Sequence, residues 1–117
     1  MKVDEKLQIK PGQSVALLHV PPGLDLGIAD AAPDCSTADA VVLFVTNRAE
    51  LDDRNAPLVA AAERDALAWV AYPKAGQLGT DLNRDSVAGL LGAEGVRPVR
   101  QVSVDPVWSA LRFRASS

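Results

Sequence analysis

Two uninterrupted apolar runs, Ala40-Val41-Val42-Leu43-Phe44-Val45 and Leu67-Ala68-Trp69-Val70-Ala71-Tyr72, decide most of what this chain can fold into. Neither alternates with polar residues, so each reads as a strand covered on both faces, the condition of a parallel sheet. Parallel strands need a long crossover, usually helical, and residues 46–66 supply one. Leu51, Leu58, Val59 and Ala62 recur in it at helical spacing. Pro57 cannot sit mid-helix without losing a hydrogen bond and clashing with the preceding turn. The spacing therefore predicts a helical turn near 48–54, a restart or kink at 56–57, and a run to about residue 64. Arg64-Asp65 then turns the chain into the second run, and Pro73, which has no N–H for the ladder, ends it.

The flanks extend this unit. Residues 2–10 place Val3, Leu7 and Ile9 among charges, a pattern for a helical turn or a frayed arm lying on the sheet. After the Lys10-Pro11-Gly12 turn signal, Ser14 to Val20 reads as a first apolar strand, stopped by Pro21-Pro22-Gly23. Residues 21–39 hold enough Pro, Gly and Asp to limit them to one or two helical turns or a small edge strand. Downstream, Asn83 is a good N-cap with Asp85 in the first turn behind it. Val87, Leu90 and Leu91 make that helix's buried stripe, and Gly92 or Gly95 ends it. Arg97 to Asp105 and Val107 to Arg114 both alternate, and the Asp105-Pro106 turn between them makes them an antiparallel pair.

At 117 residues the chain reads as one domain, with residues 1–9 and 115–117 as candidates for flexible ends. Twelve Lys and Arg against fifteen Asp and Glu give a net charge of −3, which argues against nucleic acid or an anionic membrane as partner. No apolar run approaches membrane-spanning length and the first ten residues lack a leader's apolar core, while Cys35 is the single cysteine. The expectation is a soluble, cytoplasmic protein without a disulfide.

The order of elements resembles the class I methyltransferase-like variant of the Rossmann fold. There, a turn like Lys10-Pro11-Gly12 precedes the first strand, a strand-helix-strand like 38–74 follows, and an antiparallel pair like 97–114 closes the sheet. The resemblance implies a trimmed, three-layer, Rossmann-like α/β domain of about five strands, the first three parallel, in the order 1-2-3-5-4. From about Leu7 to Phe113 the chain also resembles a bacterial family of small uncharacterised proteins, domain-of-unknown-function family 3052. That likeness is carried by Lys10-Pro11-Gly12 before Val15-Ala16-Leu17-Leu18, by Leu43-Phe44-Val45, and by Arg48-Ala49-Glu50-Leu51. Further blocks are Trp69-Val70-Ala71-Tyr72-Pro73-Lys74, Thr80-Asp81-Leu82, and Val104-Asp105 through Val107-Trp108-Ser109 to Leu111. The family brings no activity, substrate or catalytic residue with it.

No catalytic residue stands out, and no cofactor is called for. A methyltransferase needs a glycine-rich turn after its first strand so that backbone can approach S-adenosylmethionine. Val20-Pro21-Pro22-Gly23 offers one glycine and two residues without an N–H. His19 is the only histidine, so there is no multi-histidine metal site, and its place in an apolar strand favours a buried, backbone-bonded imidazole. The acidic neighbours of Cys35 oppose a reactive thiolate. Open α/β sheets bind ligands at the carboxyl ends of their strands, where Lys74, Arg48 and the loop to Asp81 should meet. Arg48, Lys74 and Asp81 are therefore the candidate ligand-binding residues, joined by Trp108 if it is exposed beside them. The competing account has Lys74 paired with Asp81 and Arg48 with a nearby carboxylate, ordering two loops.

Two functions from different classes stay open. The first is a non-enzymatic domain binding a small ligand or a protein partner, with an edge strand or the terminal hairpin as the surface for a homodimer. In that arrangement Arg97 and Arg100 are charges that blunt the exposed fourth strand. The second is a reduced, methyltransferase-like transferase working at the strand ends with Lys74 and Asp81.

Overall fold

A computed structural model describes residues 3–10, 12–21 and 36–116. The connection over 22–35, including Cys35 and the helical turns expected there, lies outside the described residues. Five strands form one sheet: β1 (Val15–Leu18), β2 (Ala40–Phe44), β3 (Leu67–Pro73), β4 (Val96–Ser103) and β5 (Trp108–Ala115). The order is β1-β2-β3-β5-β4, with β1, β2 and β3 parallel and β5 antiparallel to both β3 and β4. The expected α/β class, strand order and terminal hairpin are all present.

The crossover breaks where Pro57 requires it. Helix α2 (Arg48–Arg54) stops at Asn55, and α3 (Ala56–Glu63) restarts with Pro57 in its first turn, where its missing N–H costs nothing. Asn47 caps α2 by accepting the Glu50 N–H, and Asn83 and Ser86 form a reciprocal capping box on α4 (Arg84–Gly92). Each cap satisfies N–H groups that a helix start leaves without partners.

Strand alternation sorts the core into two clusters, one per sheet face. Val41, Leu43, Val70, Tyr72, Leu111 and Phe113 face α2, α3 and α4 through Leu51, Leu58, Val87 and Leu91. Val42, Phe44, Trp69, Ala71, Trp108 and Ala110 form the other cluster with Leu7, Ile9 and Val104. The amino-terminal segment is thus a helical turn, α1 (Val3–Lys6), followed by an arm lying on the sheet. Trp69 Nε1 donates to the Leu7 carbonyl at 2.9 Å, so the buried indole keeps its hydrogen bond. Among the described residues, no helix is long and apolar enough to cross a membrane.

Two local expectations need correction. His19 is exposed, not buried, because β1 ends at Leu18 and the His19 backbone turns left-handed at φ 61°. Lys74 does not meet Asp81: its Nζ donates to Ser103 Oγ at 2.7 Å, in the β4–β5 hairpin.

Candidate functional site

At the carboxyl ends of β2 and β3, the chain must start two helices and leave the sheet, and its polar side chains serve those needs. Asp81 Oδ1 accepts the backbone N–H of Arg48 at 2.9 Å, across 33 residues of sequence. That anchors the 74–81 loop to the first turn of α2, where a negative charge is also favoured by the helix dipole. The loop carries its own turns, with Gln77 N donating to the Lys74 carbonyl and Thr80 N to the Gln77 carbonyl. Gly76, Leu78 and Gly79 all adopt positive φ, and Leu78 is 61% exposed at the tip.

Beside it, Glu50 Oε1 accepts both the N–H and the hydroxyl of Thr46 at 2.7 Å, and lies 3.6 Å from Arg54 Nη1. The Thr46 hydroxyl, then the Thr46 N–H, hold the Glu50 carboxyl below the usual range. Partial burial opposes them, and Arg54 and His19 add to the lowering.

Trp108 is buried, with its ring edge-on to Phe44 at 5.5 Å between centroids. Pro73 pairs with Trp108 in the sheet, and just past the strand end the Lys74 N–H donates to the Val107 carbonyl at 2.7 Å. Asp105 closes the hairpin turn by accepting the N–H groups of Val107 and Trp108. Of the four candidates, then, Arg48 and Asp81 meet through backbone and carboxylate, Lys74 is tied to the hairpin, and Trp108 lies beneath the surface.

No protein-family model and no curated protein matches the chain.

Strand alternation does not reveal that four arginines of the terminal hairpin share one face. Arg97 stands opposite Arg114, and Arg100 opposite Arg112. A β-bulge at Val99 shifts the register between Pro98 and Arg100, so Arg97 and Arg100 share one face despite being three residues apart. Arg112 pairs with Trp69 on β3, which places all four guanidinium-bearing residues on the Trp69 face of the sheet. Arg112 is half-buried, with Nη1 on Gln8 Oε1 at 2.9 Å and its buried Nε lacking a hydrogen-bond partner among the described residues. Burial, and then the Arg114 charge, push its pKa down; Asp65 opposes this and Arg100 adds to it.

Arg114 meets Asp65 at 3.0 Å, with both side chains well exposed. Arg97 and Arg100 are exposed and meet no carboxylate among the described residues. Two open clefts of about 320 and 330 Å³ lie at this same end of the sheet. The first is lined by Glu63, Asp65, Arg97 and Arg114, the second by Asp39, Arg64 and the start of β3.

Proposed function

We propose that this chain is a small, cytoplasmic, three-layer Rossmann-like interaction domain, related to domain-of-unknown-function family 3052, that binds a partner and does not catalyse a reaction. The observation that carries the reading is the use of the candidate residues as struts. Asp81 holds the start of α2, Lys74 holds the hairpin through Ser103, and Trp108 fills the core. A ligand taking either polar group would have to replace a hydrogen bond that orders a loop. The three-layer description draws on the burial of both sheet faces, with Val41 and Leu43 on one side and Val42 and Trp69 on the other all at 1% exposure or less. The cytoplasmic setting rests on the single cysteine.

A reduced, methyltransferase-like transferase with a small-ligand site at the strand carboxyl ends is the second reading. His19 favours it, since left-handed backbone at a non-glycine residue costs free energy and concentrates at functional sites. Thermal-shift measurements against S-adenosylmethionine, nucleotides and phosphorylated metabolites separate the two. The interaction domain leaves the melting temperature unmoved. A rise of several degrees that disappears in Lys74→Ala establishes the ligand site and removes the first reading.

A further inference from the structure

Charge is distributed unevenly along this chain. Residues 96–115 hold four arginines and one aspartate, whereas the remainder holds eight basic and fourteen acidic residues. The four arginines are cross-strand neighbours in two like-charged pairs, an arrangement that opposes pairing of the strands that carry it. Their only ion pair among the described residues, Arg114 with Asp65, is 48% and 68% exposed and therefore weak and exchangeable.

We propose that the arginine face of the β4–β5 hairpin docks an acidic, extended segment of a partner protein. This rests on the reading of the chain as an interaction domain, and it names the surface and the partner's chemistry. Each guanidinium presents a planar fork that matches a carboxylate. The two arginine pairs recur along the hairpin at about 7 Å, the distance between alternate residues of a strand. An extended segment with acidic residues at every second position thus meets successive arginines. Gln8 fixes Arg112 in place, which lowers the ordering cost of binding.

Other occupants fit less well. Arg100 and Arg112 line neither of the two clefts, the concave kind of site that small ligands prefer. The residues outside the hairpin are net acidic, which opposes a long polyanion such as nucleic acid more than a short acidic segment. A second copy joined through β4 would bring Arg97 and Arg100 against their own counterparts. Pro98 and the Val99 bulge also interrupt the hydrogen-bonding edge it would need.

The test uses the intact chain and a fluorescein-labelled peptide alternating aspartate and threonine, titrated at low and at physiological salt. Its controls are the asparagine–threonine peptide, inorganic tripolyphosphate and oligothymidine. The acidic peptide should bind best of the four, more weakly as salt rises, and at least about fivefold more weakly to Arg97→Ser/Arg100→Ser. Both residues are exposed and meet no carboxylate among the described residues, so an unchanged melting temperature verifies that the double variant is folded. No binding, a smaller loss, tighter binding of tripolyphosphate or oligothymidine, or self-association abolished by the double variant would each overturn the proposal. Failure here, with melting temperatures still unmoved by the metabolites above, removes the acidic partner and leaves the interaction domain standing.

Discussion

The indole of Trp69 and the carbonyl of Leu7 are joined by a buried hydrogen bond of 2.9 Å across 62 residues. It fastens the amino-terminal arm to the central strand on the face opposite α2, α3 and α4. Replacing Trp69 with Phe leaves the Leu7 carbonyl unsatisfied and opens a small void. Urea denaturation should show a loss of about 1–3 kcal/mol. An unchanged unfolding free energy would mean that this hydrogen bond contributes nothing to holding the arm on the sheet.

Asp81 should matter to stability without any ligand present. Its carboxylate completes the start of α2, so Asp81→Ala is expected to cost about 1 kcal/mol, with Asp81→Asn recovering part of that. Chemical denaturation of the three proteins checks it. Equal stability would strip Asp81 of its role as a strut.

Glu50 ties its own stabilisation to pH. Its folded carboxyl titrates below the usual range because Thr46 bonds its charged form. The stabilisation is therefore complete above the unfolded value of about 4.3 and is lost as pH falls through the folded one. The stability gap between the natural chain and Glu50→Gln should be constant from neutral pH to mild acid and shrink below that window. Unfolding curves collected across that range test the sign, and a gap indifferent to pH contradicts it.

Deleting Val99 tests the bulge. Arg97, Pro98 and Arg100 already face Arg114, Phe113 and Arg112 in turn, so removing the extra residue leaves a regular ladder with the arginine face intact. Stability should change by less than about 1 kcal/mol, as for most surface changes. An unfolded product would show that the bulge shapes the hairpin in some further way.

How legible all this was varies by residue. Pro57 breaks the crossover and Asn83 caps α4 through local backbone chemistry, so both could be read from neighbouring positions. The buried runs of β2 and β3 announced themselves by lacking alternation. Asp81 was legible as a candidate but not as a cap on α2, because its partner lies 33 residues away and only the fold brings them together. His19 looked internal because an apolar run does not reveal that the strand ends one residue earlier. The shared face of Arg97 and Arg100 was hidden for a sharper reason. Period-two alternation puts residues three apart on opposite faces, and the Val99 bulge reverses that for this pair.

Amide chemical shifts of the isotope-labelled chain, followed during titration with the aspartate–threonine peptide, test most directly which end of the sheet binds. Perturbations centred on Arg97, Arg100, Arg112 and Arg114, with residues 46–50 and 74–81 unmoved, are the predicted result. Perturbations concentrated at 46–50 and 74–81, with the hairpin unmoved, would contradict it and return the binding site to the carboxyl ends of the strands.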